Sequence, residues 1–240
     1  MKKILLGILV VVSMGSSAFG ANLMLNGTNV DKLGLLGLEK KLDKLDSGEV
    51  GLWYLYHANY SKWKQVHEDE FELDDAKQTA YKAMLKEIKE SKNLLKKQFE
   101  IRLNIKFKKF NFKKGGFPIE AFSKNSYLYY EGEKLIDILF IDFDNVVEKD
   151  NFLPMKKSDA KAFIKAHKNR YGDVDRRLLG RYTIEFKKID SNDRKIFGHY
   201  CSTIDKSGYE SKICSKAKAH ILKFEIVDKN GDILHAYTYK

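Results

Sequence analysis

The sequence predicts an α+β protein, with N-terminal helices, one of them long and amphipathic, packed on a mainly antiparallel sheet that ends in a C-terminal β-meander. Three observations carry this. Apolar residues follow a helical period through the N-terminal part, the period changes to two from Phe99, and the C-terminal quarter breaks into alternating stretches separated by turn dipeptides. With 43% hydrophobic residues, two Pro and two Cys in 240 residues, the composition is that of a globular chain. No internal repeat, low-complexity tract or long linker divides it. One domain over 21–240 is expected, helical over 30–97 and sheet-rich over 98–240.

Residues 1–20 read as a secretory signal. Met1-Lys2-Lys3 precedes an apolar run from Ile4 to Val12, and Ala18 and Gly20 mark a small-residue cleavage site before Ala21. The apolar run is too short to cross a bilayer. An exported mature chain from Ala21 without a transmembrane segment follows, periplasmic in a Gram-negative cell.

After a short polar linker from Asn22 to Asn29, Val30 to Leu45 carries leucines at partly helical spacing, interrupted by Gly34 and Gly37, and predicts a weak helix. Val50 to Lys64 places Trp53, Tyr56, His57, Tyr60 and Trp63 on one stripe of a second helix. Asp69 and Glu72 resemble a capping box, from which Leu73, Ala76, Ala80, Met84, Ile88 and Leu95 run down one face of the long helix. From Phe99, residues Ile101, Leu103, Ile105 and Phe107 alternate with polar ones as a strand. A bulge near Lys108-Lys109 would return Phe110 and Phe112 to the buried face, and Gly115-Gly116 ends it. Leu135 to Phe143 is apolar on both parities, so it suits a strand covered on both faces at the centre of the sheet. A further helix starts at Ser158 as N-cap and carries Ala160, Phe163, Ile164 and His167 before stopping near Gly172.

Three hairpins are expected after that. A Ser191-Asn192 turn sets Phe186 opposite Phe197, Ile184 opposite His199 and Tyr182 opposite Cys201. An Asn230-Gly231 turn sets Ile226 opposite His235, Phe224 opposite Tyr237 and Leu222 opposite Tyr239. A Ser207-Gly208 tip brings Cys201 opposite Cys214 as a non-hydrogen-bonded antiparallel pair with Cα atoms about 4.5 Å apart. An oxidising compartment closes that pair as a structural disulfide. The spacing does not match the Cys-x-x-Cys of a redox site.

The formal charge is +11, and removing Lys2 and Lys3 with the signal leaves +9, nearly all of it Lys. Because the lysines are scattered and Arg is confined to positions 102, 170, 176, 177, 181 and 194, no nucleic-acid partner is expected. An envelope protein, an anionic envelope polymer or a lipid surface is what such an exported chain would meet. The densest basic stretch is Lys106 to Lys114, with Phe107, Phe110 and Phe112 between the lysines.

One motif resembles a known catalytic one. Leu139 to Val147, a hydrophobic strand ending in Asp142-x-Asp144, resembles the first motif of the haloacid-dehalogenase phosphatases. That resemblance implies Asp142 as nucleophile and Asp144 as general acid, with magnesium between them. The family's later signals are not matched. Gly172-Asp173-Val174-Asp175 comes too soon for its acidic pair, and hairpins follow where strand-helix-strand crossovers should. His57, His67, His167, His199, His220 and His235 show no metal-ligand spacing; on the sheet, His220 and His235 stand six residues, or about 20 Å, apart. Neither a nucleophile elbow nor a phosphate-binding glycine loop occurs, so no metal and no cofactor are expected. Trp53, Tyr56, Tyr60 and Trp63 are the candidate ligand-binding residues, since Trp and Tyr stack on sugars and dominate protein contacts; the competing reading of the stripe is helix core. Phe122, Tyr127, Tyr129 and Tyr130 form a second aromatic group on a strand with one wet face.

Asp69-Glu70-Phe71-Glu72-Leu73, Phe110-Asn111-Phe112 through Phe117-Pro118, and Phe152-Leu153-Pro154-Met155 before the Asp159-Ala160 helix are similar to segments of a family of uncharacterised bacterial exported proteins, the domain of unknown function numbered 4852. The resemblance implies no activity, cofactor or catalytic residue. The sequence therefore points to an exported, non-catalytic binding or envelope-associated module, with a magnesium-dependent phosphatase centred on Asp142 and Asp144 as the alternative.

Overall fold

A computed structural model describes residues 22–123, 126–190, 195–196, 199–204 and 209–239. The expected signal peptide and the turns at Ser191-Asn192 and Ser207-Gly208 lie outside the described residues. Strand β1 (Leu23–Met24) comes from the expected linker and pairs in parallel with β2 (Gln98–Phe107). Helix α1 (Gly27–Glu39) starts at Asn26, whose side-chain oxygen accepts from the Asn29 N–H, and ends before a 3-10 turn at Leu42–Lys44. The aromatic stripe is split between α2 (Ser47–Ala58) and α3 (Tyr60–Val66). The long helix is α4 (Glu70–Ser91), capped by Asp69, which accepts from the N–H groups of Phe71 and Glu72. Asp69 itself donates its N–H to the Val66 carbonyl.

The rest of the sheet is β3 (Gly116–Glu120), β4 (Tyr127–Glu131), β5 (Ile136–Phe143), β6 (Phe152–Pro154), β7 (Arg177–Asp190), β10 (Ile213–Val227) and β11 (Ile233–Thr238). Helix α5 (Lys157–Ala166) follows β6, and β8 (Lys195–Ile196) pairs with β9 (His199–Tyr200) as a separate small hairpin. The order β4-β5-β10-β7-β2-β3-β6 puts the long strands β7 and β10 at the centre. The β5–β10 and β1–β2 pairs are parallel; the others are antiparallel. Bulges in β7 and β10, where the register shifts at Lys218/Ala219 and Ile221/Lys223, curl the sheet.

One face of the sheet carries the main core. Phe99, Ile101, Ile105, Phe107, Tyr182, Ile184, Phe186, Ala217, Ala219, Ile221 and Phe224 belong to it, α1 packing on β5, β7 and β10 and Phe107 meeting Phe163 of α5 at the other end. The glycines that weaken α1 as an isolated helix are what let it dock. A Cβ on Gly34 would lie 2.3 Å from the Ile136 side chain, and one on Gly37 would lie 2.4 Å from the Asp190 carbonyl oxygen. Ser215 Oγ donates to the Gly34 carbonyl across this contact at 3.1 Å. The most demanding contact is Asp31, 6% exposed. Its carboxylate accepts the backbone N–H groups of Lys134, Leu135 and Ile136 at 2.7, 2.9 and 2.9 Å, and so clamps the β4–β5 turn to α1.

Among the described residues, the opposite face is covered at one end only. Phe140, Ile196 and Cys214 form a second small core there, with Tyr127, Ile138 and Cys201 packed against it. The Cys201–Cys214 disulfide, with Cα atoms 5.6 Å apart, fastens Cys201 to β10 beside this small core.

Several expectations are corrected. Strand β5 is second from the edge, because β7 and β10 are long enough to bury more apolar surface in the middle. Its apolar residues serve both faces through a bulge between Ile136 and Leu139. Tyr182 and Ile184 do not face Cys201 and His199: their neighbours are Phe224 and Ile221 on one side and Ile101 and Phe99 on the other. In the separate β8–β9 hairpin, Ile196 pairs with His199. The disulfide forms without the expected antiparallel register, since the adjacent Ser202–Ile213 bridge is parallel. The Asn230-Gly231 register holds, with Ile226 opposite His235 and Phe224 opposite Tyr237. No bulge returns Phe112 to the core. The strand ends at Phe107 and the chain turns at Asn111. Helix α5 begins with Lys156 at its N-cap, and Ser158 Oγ bonds Asp159 instead.

Replacing Asp31 by Ala leaves three backbone donors without an acceptor and removes the clamp. The expected loss is about 3 kcal/mol or more in urea unfolding, with Asp31→Asn recovering part of it. Cys201→Ser/Cys214→Ser should lower stability by about 3 kcal/mol on the loop-entropy argument, and dithiothreitol should do the same to the parent protein.

Candidate functional site

Asn59 turns the aromatic stripe into a surface. Its backbone, at φ −142° and ψ 63°, ends α2, and its side-chain oxygen accepts the Lys62 N–H to start α3. Trp53, on the sheet side of the break, is fully buried and donates its indole N–H to the Ser211 carbonyl at 3.1 Å. It is a core residue. Tyr56, Tyr60 and Trp63 gather at the edge of the core, Trp63 packed against a small cluster of Leu55, Val66, Ala76 and Ala80, and are joined by His67 and Tyr209. Tyr56 meets Tyr60, Trp63 and Tyr209 edge to face with centroids 5.2, 5.0 and 5.4 Å apart. Tyr60 stacks on Trp63 at 5.3 Å, and Trp63 on His67 at 4.5 Å.

The Tyr60, Trp63 and His67 rings thus form a column along α3. Their faces are largely spent on one another, and the Lys64 ammonium lies 5.9 Å from the Tyr60 centroid. What the column offers outward is mostly ring edges and hydroxyls, with Tyr60 47% exposed. His57 closes its inner side, with Nε2 3.1 Å from the Tyr209 carbonyl, and burial lowers its pKa below the usual imidazole value. Beside the break, a cleft of about 630 Å³ between α2 and α4 is lined by Leu55, Ala76, Ala80 and Ala83 with Lys62 and Asp75. Sequence period found Tyr56, Tyr60 and Trp63. It missed His67, one turn further along α3, and Tyr209, which the fold delivers from a distant segment.

On the open sheet face, Asp142 and Asp144 have separate partners. Lys216 Nζ is 3.9 Å from Asp142, on the strand parallel to it. Asp144 accepts from His220 Nδ1 at 2.8 Å. Asn145 donates to the Ile221 carbonyl at 2.8 Å and accepts the Ile221 N–H at 2.8 Å, and its amide nitrogen is 3.1 Å from His220 Nε2. This network puts the imidazole proton on Nδ1 and occupies Nε2 as an acceptor. His235 stays opposite Ile226, far from His220 along the sheet. His167 is buried against Phe107 and Phe163, with Nδ1 2.9 Å from the Phe163 carbonyl. Of His199, only its place on β9 is described. Among the described residues, no group of three or more His, Cys, Asp or Glu could hold a metal ion.

Further along the same face, Glu225 is 4% exposed yet charged. Arg181 Nε and Lys223 Nζ each lie 2.6 Å from its oxygens, in a hollow of about 700 Å³ shared with Gln98, Thr183 and Tyr239. Burial would raise its pKa, but the bonds from Lys223 and Arg181 outweigh burial and hold the carboxyl below its ordinary value. The second aromatic group divides as a half-wet strand should: Phe122 is buried, Tyr129 on edge strand β4 is exposed, and burial pushes the Tyr130 hydroxyl up to about 12.

These features define an α+β domain whose helical layer ends in an aromatic corner and whose sheet keeps one face largely open. Residues 48–166 match the family model described as Domain of unknown function (DUF4852), so the segment from α2 through α5 belongs to that family. The matched segment stops before β7 and β10, which complete the centre of the sheet. No curated protein and no solved structure matches the chain. Among the described residues, no helix is long and apolar enough to cross a membrane.

Because the Glu225 carboxyl is held below its ordinary value, its contribution to stability is complete above pH 4.5 and is lost as the pH falls through its folded-state value. Glu225→Gln should therefore lower stability at neutral pH by about 1–2 kcal/mol. The variant's stability should then fall less steeply than the parent's on acidification, as read by thermal unfolding across that range.

Proposed function

We propose that the protein is an exported, non-catalytic binding module of the bacterial cell envelope, and that the corner of Tyr56, Tyr60, Trp63, His67 and Tyr209 is its contact surface for a protein partner. The observation that carries this is the ring column itself: aromatic side chains left half-exposed in mutual contact where Trp53, one turn earlier, is fully buried. Tyr and Trp in such clusters supply large contact area at low entropic cost. The column's stacked faces leave little flat surface for a sugar ring, whereas edges and hydroxyls suit a partner's groove. The signal-like residues 1–20 and the disulfide support an oxidising compartment.

A photocrosslinking side chain at Tyr60 should give a discrete adduct in the native compartment that the same group at exposed Phe71 on α4 does not. Trp63→Ala in the crosslinking background should abolish it. Identical patterns at both positions would remove the proposal. The phosphatase alternative separates cleanly: magnesium-dependent hydrolysis of p-nitrophenyl phosphate that disappears in Asp142→Asn would replace the non-catalytic reading.

A further inference from the structure

Phe112 is an apolar ring 75% exposed to solvent, on a turn closed by its own hydrogen bonds. Asn111 N–H donates to the Gly116 carbonyl at 2.7 Å, Gly115 N–H to the Asn111 carbonyl at 2.8 Å, and Lys114 N–H to the Asn111 side-chain oxygen at 2.9 Å. Met155 N–H ties the turn to the next element through the Gly115 carbonyl at 3.1 Å. Gly115 sits at φ +69°, the left-handed conformation that such a turn requires. Behind the exposed ring, aromatic side chains step back into the core: Phe112 meets Phe110 at 5.1 Å, Phe110 meets Phe117 at 5.1 Å, and Phe117 meets Phe163 of α5 at 5.4 Å. The ring is braced from below and largely exposed.

A shallow depression lies on each side of it, of about 470 and 480 Å³, with Phe110 and Phe112 lining both. The second is lined by Phe117 and Ile164, and its other lining residues include Lys157, Lys161, Lys165 and Lys168. The Lys157 ammonium lies 5.7 Å from the Phe112 centroid. Charge here has one sign. Residues 106–114 and 156–168 carry five lysines each, against a single acid, Asp159. Among the described residues, Lys108 alone of these is in an ion pair, with Glu120 at 3.3 Å.

An occupant must satisfy both halves of this surface. A soluble polyanion would use the lysines and leave Phe112 and the apolar depressions in water. An apolar protein groove would take the ring but gain nothing from the ring of lysines. A bilayer interface presents phosphates at one level and hydrocarbon just beneath, which matches an apolar tip set among lysines. We infer that the protein docks peripherally on an anionic phospholipid surface, with Phe112 entering the headgroup–acyl boundary and Lys113, Lys114 and the α5 lysines meeting the phosphates. The surface is built from elements other than the α2–α3 corner, so its test leaves the partner reading of that corner standing or falling by itself.

Co-sedimentation of the mature protein with vesicles of phosphatidylglycerol and phosphatidylethanolamine, compared with phosphatidylcholine alone, tests the inference. Binding is expected to the anionic vesicles only. Phe112→Ala, at an exposed position, should weaken it roughly tenfold. Lys113→Ala and Lys114→Ala should each weaken it about fivefold, and added salt should weaken it further. Phe112→Trp should retain binding and gain a blue-shifted emission component when anionic vesicles are added. Absence of binding to anionic vesicles would overturn the inference. So would binding that Phe112→Ala leaves unchanged and soluble polyphosphate displaces, because that result describes a polyanion site.

Discussion

The carboxylate of Asp31 is the contact on which the architecture turns. A buried charge is tolerated only where donors surround it, and here three consecutive backbone N–H groups of the β4–β5 turn do so. That bond sets where α1 lies. Once α1 is placed, Gly34 and Gly37 allow it to approach β5, β7 and β10 at distances that any side chain would block. Gly132 belongs to the same device, since a Cβ there would come within 2.3 Å of the Asp31 carboxylate. Helix α4 then packs on α1 and α2, and the core closes between the helices and one face of the sheet.

Burying one face so thoroughly leaves the other with a different problem. Where β5 and β10 present Ile138, Phe140 and Cys214, Ile196 and Cys201 cover them and the disulfide ties Cys201 there. Where β2, β7 and β10 present Glu100, Arg181 and Glu225, charges pair along a strand, Arg102 with Glu100 and Lys223 with Glu225, and across strands, Arg181 with Glu225, and the face stays open. Asp142 and Asp144 lie between these regimes, each held by a basic partner on β10. Their pairing follows from the parallel β5–β10 register, a contact between segments more than seventy residues apart.

The fold was legible wherever a pattern repeats along one element. Phe99 to Phe107 alternate, Ala76 to Ile88 keep one helical face, and Asn230-Gly231 names its own hairpin. The corner of Tyr56, Tyr60 and Trp63 was half legible. Helical period brought the three together, but the stripe does not say that Asn59 breaks it between Tyr56 and Tyr60, nor that Trp53 is fully buried while Tyr60 is exposed. Tyr209 carries no periodic signal at all. Phe112 shows the opposite failure: alternation argues for returning it to the core, whereas the hydrogen-bonding side chain of Asn111 turns the chain first.

By itself, then, the sequence determined the class of fold, the long helix and the C-terminal hairpin, because propensity, period and turn chemistry act over a few residues, whereas the disulfide joins the expected cysteines without the register that predicted it. Only the tertiary structure decided that β7 pairs with β10 instead of folding back locally, that two helix-weakening glycines are a docking face, and that Asp31 is a clamp. Each of those depends on how much apolar surface two distant segments bury together, and on which backbone donors would otherwise be left unpaired. That balance is struck between whole elements, and no window along the chain contains both partners.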